Sequence, residues 1–232
     1  MSLNPLAQVK DYESMLNRIF ICTAIISCVF FAVLRQNWPG FDNAMKLLDF
    51  DVEFGPIKSV KLGYVVPGVV FAFIARMFRM HDRASDLLRI RENFDIHYIL
   101  EPLAERSGSQ LGRLNIQQLR DGRNALMKKT FYRYASSTDP VIDKHLIYQA
   151  LDWWSFYWVV VEAIIVIVAI GAIHLAIGSY GTGIVMCASS VVLLLPLQFF
   201  YRQCTRYASN EVDDILSDAT RKVEVRKAFD AL

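Results

Sequence analysis

Four cysteines stand in 232 residues, and two of them, Cys22 and Cys28, share one apolar run, so no disulfide framework holds this chain together. Proline (7) and glycine (11) are sparse, which excludes collagen-like and Pro/Gly-rich disordered classes. An excess of one charge is also missing: 25 Lys and Arg against 23 Asp and Glu leave +2. A general electrostatic attraction to nucleic acid or to an acidic partner therefore has no starting point, and no direct nucleic-acid binding is expected. The sequence carries no Gly-rich phosphate loop, no HExxH, no paired CxxC and no GxSxG, so no motif proposes a catalytic residue, a cofactor or a metal. What it has is apolar length: 54% of residues are hydrophobic and the mean hydropathy is +0.28.

Crossing about 30 Å of hydrocarbon at about 1.5 Å per residue takes roughly 20 mostly apolar residues. Four segments qualify: about Met15–Leu34, about Leu62–Phe78, about Trp154–Ile177 and about Thr182–Tyr201. The second is the weakest, short, with Pro67-Gly68 inside and Arg76 near its end. In lipid the backbone must satisfy its own hydrogen bonds, so these read as helices and the class as all-α. The first span has a long polar lead and ends Val33-Leu34-Arg35, no small-x-small cleavage site, and reads as an uncleaved signal anchor.

Lys and Arg set the orientation. Residues 1–18 carry two, the loop 35–61 four (offset by Asp42, Asp49, Asp51 and Glu53), the segment 79–152 twelve, the turn 178–181 none and the tail 202–232 six. Both termini and the middle segment are thus expected in the cytoplasm of a bacterial inner-membrane protein with four passes. Trp153, Trp154 and Trp158 with Tyr157 stand where the third span enters, Phe199–Tyr201 where the fourth leaves, and Trp38 after the first; amphipathic rings collect at headgroup depth.

The organisation follows: 1–78 with the first two spans, a cytoplasmic helical insert 79–152, 153–201 with the last two spans, and a C-terminal helix 202–232. Asp139-Pro140 predicts a helix start, with one helix running from about 140 through the third span. The second span is expected to continue past Arg79 through Leu87, Leu88 and Ile90, and the fourth through Val212, Ile215 and Leu216. Shorter helices are expected at about 93–106 and 110–135, parted by Ser107-Gly108-Ser109. Stalks and short helices would bundle into a cap whose core is small, so homo-oligomerisation or a cytoplasmic protein partner is expected to bury the remaining faces.

An ionisable residue inside a span is a functional hypothesis by default. Glu162 is the acid of this kind, about one turn deeper than Trp158, and Arg76 lies at comparable depth. They are read as a structural charge pair, as pore- or cavity-lining groups, or as a near-interface glutamate that snorkels. His174 reads as a cap or interface residue, less readily as a proton sensor. Arg79, Arg83, Arg89 and Arg91 follow a span directly; topology explains most of that, and anionic lipid or a messenger phosphate are further candidates. The spacings Arg91-x5-His97 and Arg76-x4-His81 fit the loose Arg-x4–6-His pattern of HEPN ribonucleases, which 16 arginines and four histidines produce about once by chance. Ser189-Ser190, Gly181 and Gly183 suit close helix packing, Pro67-Gly68 a bend in span two, and Cys22 and Cys28 the core.

Two functions compete: a non-enzymatic membrane sensor or anchor that hands a membrane event to a cytoplasmic partner, and a homo-oligomeric pore gated by a cytoplasmic signal. The layout of four spans, a basic helical insert and a helical tail resembles the small membrane components of bacterial anti-phage systems, namely the Kiwa membrane subunit and four-pass effectors of cyclic-oligonucleotide signalling. The resemblance covers the chain as topology and carries no motif. It implies an oligomeric inner-membrane protein, with a cytoplasmic partner in the first case and a messenger-gated pore in the second.

Overall fold

The computed structural model describes residue 4 and residues 6–54, 57–109 and 116–231. About 81% of it is helical, so the class is all-α. In chain order the elements are α1 (Tyr12–Asn37), α2 (Pro39–Lys46), β1 (Asp51–Phe54), β2 (Ile57–Lys61), α3 (Leu62–Met77), α4 (Met80–Leu87), α5 (Ile90–Phe94), a π-helical segment (Asp95–Leu100) and α6 (Glu101–Ser107). There follow α7 (Ile116–Leu126), a second π-helical segment (Met127–Phe131), α8 (Lys144–Ala176), α9 (Tyr180–Val192), α10 (Leu194–Ser217) and α11 (Ala219–Asp230).

Among the described residues three helices are long and apolar enough to cross a membrane: Tyr12–Asn37, Lys144–Ala176 and Tyr180–Ser217, the last being α9 and α10 together. The pair α3 and α4 passes the same test jointly but is bent by 57°. That bend corrects the straight continuation expected past Arg79, which instead takes a left-handed φ of 49° and turns the chain. The break between α9 and α10 falls at Leu193, where Pro196 has no N–H to return to the preceding turn.

Contacts divide the chain into two compact units. The first comprises Met1–Ala7, Leu16–His81 and Ser155–Phe199, the second Gln8–Met15, Asp82–Trp154 and Phe200–Leu232.

In the first unit Leu34, Val166, Ile167, Ile170 and Met186 form the buried core, with Phe30, Phe31 and Phe71 packed against it. Two helix contacts are close because glycine permits them. A Cβ on Gly68 would fall on the backbone of Cys28, 2.7 Å from its Cα, and one on Gly183 would lie 2.9 Å from the Gly171 carbonyl oxygen. The other glycine expected to pack, Gly181, faces open space. The loop expected over 35–61 contains α2 and the antiparallel pair β1–β2, registered Asp51 to Lys61 and Val52 to Val60.

The second unit buries Phe94, Ile96, Leu100, Leu103, Val212 and Ile215, among others, and sets the Phe94 ring edge-on to Trp154 at 4.5 Å. The expected helix 93–106 is split into α5, a π-helical segment and α6. Pro102, which cannot donate to the carbonyl four residues back, follows that widened stretch. Gly108, at φ 78°, ends α6 at the expected turn. The expected start at Asp139 is corrected to Asp143, whose carboxylate accepts from the His145 N–H (2.8 Å) and opens α8. From there α8 does run unbroken for 33 residues. The tail is two helices, with Asp218 accepting from Arg221 N–H at the start of α11. Of the helix expected over 110–135, residues 110–115 lie outside the described residues.

Candidate functional site

Arg18, Thr23, Ser27, Ser155, Glu162 and His174, on the apolar helices of the first unit, are buried. Glu162, on α8, is 2% exposed. Its Oε2 accepts a hydrogen bond from the Thr23 hydroxyl of α1 at 2.5 Å, and its Oε1 lies 3.7 Å from Nδ1 of His81 on α4. His81 is itself buried and stands edge-on to the Trp158 ring. One carboxylate thus joins three helices. The expected Glu162–Arg76 pair is not what forms. Arg76 donates to Asn17 Oδ1 at 2.6 Å and stacks toward Phe20, because depth along two helices fixes height but not azimuth.

A second polar contact lies on the same two helices. The Arg18 guanidinium donates to Ser155 Oγ at 2.7 Å and to the Ala7 carbonyl, and covers the face of Phe156. Farther along, the Ser27 hydroxyl and both ring nitrogens of His174 are buried and have no hydrogen-bond partner among the described residues. His174 is 0% exposed. Ser189 and Ser190 return their hydroxyls to the Met186 and Cys187 carbonyls.

A third polar centre holds the segment after α1. Arg35 is buried; its guanidinium grips Asp49 with both terminal nitrogens (2.8 and 2.6 Å), donates from Nε to Asp42 (2.7 Å) and lies 4.2 Å over the Tyr64 ring. Gly63 leaves room for it, since a Cβ there would sit 2.8 Å from Arg35 Nη1. Hydrogen bonds from Lys46 and Arg35 hold the Asp42 carboxyl below its ordinary range, and those from Arg35 do the same for Asp49.

In the second unit, Arg123 donates to the buried Asp95 at 3.0 Å. Burial pushes the Asp95 carboxyl up to about 6, against the pull of Arg123 and Arg91. Arg120 pairs with Glu92 at 3.2 Å, and Arg91 hydrogen-bonds Tyr132. His97 instead bonds Glu101, 2.9 Å away on its own helical turn. Arg91 and His97 thus serve different partners, as do Arg76 and His81, and neither HEPN-like spacing assembles a joint site. Of the four arginines grouped in the sequence, all exposed, Arg91 joins this ionic cluster.

The tryptophans are engaged by other rings: Trp153 with Phe200 and Tyr207, Trp154 with Phe94, Trp158 with Tyr157 and Trp38 with Phe41. Among the described residues no group of three or more His, Cys, Asp or Glu could hold a metal ion.

The family model of the YmfE protein family matches residues 11–231, nearly the whole chain. The chain belongs to the YmfE protein family. No curated protein and no solved structure matches it.

For this member of the YmfE family, sequence reasoning found Glu162 and missed its partners Thr23 and His81, together with the Arg35 centre. Thr23 stands in an apolar run where a threonine is unremarkable. Arg35 with Asp42 and Asp49 was visible as loop charge. The added signal that would have found it is an arginine closing an apolar helix with two acids within the next 14 positions.

Proposed function

We propose that the chain is a non-enzymatic membrane anchor or sensor. It crosses a bacterial inner membrane four times with both termini in the cytoplasm, and couples a membrane event to a cytoplasmic protein held on its helical second unit. The observation that carries this reading over a pore is the direction of the polar side chains. Arg18, Thr23, Ser27, Glu162 and His174 are buried within the unit. Ile25, Val29, Phe73, Ile184, Val185 and Val191, each more than half exposed, turn apolar surface outward. A pore wall between subunits needs the reverse, an exposed polar stripe for water and ions. Interior carboxylate and guanidinium groups bonded to other helices fix helix order instead. The excess of Lys and Arg in 79–152 and 202–232 supports the orientation, and a role in anti-phage defence rests on likeness of layout.

The test is purification of a tagged copy from its host in mild detergent, with mass and composition measured. A stoichiometric cytoplasmic protein supports the anchor or sensor. A pure homo-oligomer that passes ions when reconstituted in liposomes refutes it in favour of the pore. Reporter fusions at both ends check the orientation; an external signal from either refutes it.

A further inference from the structure

The second unit gathers guanidinium groups around one buried carboxyl. Asp95 opens the first π-helical segment and is 6% exposed. Arg123 of α7 donates to it at 3.0 Å, and Arg91, one turn earlier on α5, attracts it as well. Arg91 also bonds the hydroxyl of Tyr132, the residue that closes the second π-helical segment. Arg120, one turn before Arg123, pairs with Glu92 beside them. Exposure is graded across the group. The carboxyl lies deepest, the Arg123 and Arg120 side chains are 23% and 32% exposed, and Tyr132 and Arg91 stand at the rim. Widened π turns are rare and frequent at functional sites; here two of them pack together, one opening and the other closing on a member of this cluster.

Charge decides what the cluster can hold. Asp82, on α4, acts on Arg91, so Arg91, Arg120 and Arg123 face Asp82, Glu92 and Asp95. With Asp95 ionised the charges cancel and Arg123 is occupied. A proton on Asp95 leaves one guanidinium in excess and frees Arg123 to donate elsewhere. Guanidinium forks beside a hydroxyl are donors suited to tetrahedral oxyanions. Desolvation holds the Tyr132 hydroxyl above its ordinary range, so it keeps a proton to give. Burial pushes the Asp95 carboxyl up to about 6, against the pull of Arg123 and Arg91; an anion at the rim would weaken that pull and favour the protonated form further.

We propose that Arg91, Arg123 and the Tyr132 hydroxyl form a proton-gated site for a soluble tetrahedral oxyanion, the phosphate of a small phosphate ester, and that Asp95 is the gate, taking one proton from solvent as the anion binds. The site gives the second unit a soluble input of its own. It lies wholly within that unit, so it is independent of the number of membrane passes and of the protein partner proposed above.

The experiment titrates sulfate, whose charge is constant from pH 5 to 8, into the full chain held in phosphatidylcholine nanodiscs at fixed ionic strength. Calorimetry in buffers of different ionisation enthalpy reads affinity and proton uptake together. Between pH 5 and 7 the protonated fraction of Asp95 falls from about 0.9 to 0.1, so the affinity of the wild-type chain is expected to fall about tenfold, with close to one proton taken up per sulfate at pH 7. Asp95→Asn, neutral throughout, is expected to bind without pH dependence and about tenfold more tightly than the wild type at pH 7, a gain that no unfolded variant can give. Arg91→Gln/Arg123→Gln is expected to lose binding, and Arg133→Gln, a surface arginine paired with Glu224, to keep it. Absence of saturable binding by the wild-type chain at pH 5, an affinity that does not change with pH, or an Asp95→Asn chain that keeps the wild-type pH dependence overturns the proposal. Loss of sulfate binding when phosphatidylglycerol is added to the discs overturns it too, by assigning the guanidinium groups to lipid headgroups.

Discussion

Replacing Glu162 tests whether one carboxylate ties α1, α4 and α8 together. Glu162→Ala removes the acceptor of the Thr23 hydroxyl, 2.5 Å away, and the carboxylate oxygen 3.7 Å from His81 Nδ1. It also leaves a void in a site that is 2% exposed. A hydrogen bond between membrane helices contributes about 0.6 kcal/mol, rising to roughly 1.7. Stranding a buried donor adds about 1–3 kcal/mol, and the void adds on the order of 1 kcal/mol. The alanine variant should therefore lose roughly 3–6 kcal/mol, and at about 2–4 °C per kcal/mol for a chain of this size its midpoint should fall by about 6–24 °C. Glu162→Gln keeps an oxygen for Thr23 and offers an amide N–H toward His81, so about 1 kcal/mol and a few degrees are expected. The assay is thermal unfolding in detergent, with Thr23→Val added to close a double-mutant cycle. Coupling of 0.5 kcal/mol or more between positions 23 and 162 is expected for groups in contact. Equal midpoints for the alanine and glutamine variants, or additive effects in the cycle, would refute the reasoning.

His174→Leu should leave stability unchanged or raise it by about 1 kcal/mol, because the ring is buried with both nitrogens unbonded; a marked drop in the melting midpoint would contradict this. Gly63→Ala should disrupt the Arg35–Asp49 pair, since its Cβ would meet both residues, and expose the 38–61 segment to added protease faster than in the wild type; an unchanged cleavage rate argues against a clamp. The carboxyls of Asp42 and Asp49 are lowered by their partners, so their contribution is present above the ordinary value of 3.8 and is lost as pH falls below it; protease sensitivity of the segment should rise there. Asp95 shifts the other way, from 3.8 to about 6; its contribution is complete below 3.8 and is lost as pH rises through 6, so Asp95→Asn should flatten the stability of the second unit between pH 4 and 7, and an unchanged slope would count against it.

The apolar helices were legible in sequence because length and hydropathy are one-dimensional properties, and α8 was followed correctly through its 33 residues. Its start was not: Asp139-Pro140 carries the stronger capping signature, yet the Ile142 side chain is buried and the chain turns back on Tyr134 through the Val141 N–H before Asp143 opens the helix. The bends at Arg79 and Arg89 were invisible, since arginine is no one's signal for a left-handed turn. Glu162 was found by the cost of its charge in an apolar run. Its partners were not, because azimuth around a helix depends on which neighbours it packs against, and Asn17 took the arginine that depth alone assigned to the carboxylate.

The α1–α8 interface is fastened at two heights, Arg18 to Ser155 and Thr23 to Glu162. The intervals are unequal, five residues along one helix and seven along the other, so the pair works like a vernier. Sliding one helix by a residue, about 1.5 Å, brings neither contact onto a new partner of matching chemistry. Intermediate settings have no resting place, and any working movement at this seam is a click between detents rather than a glide.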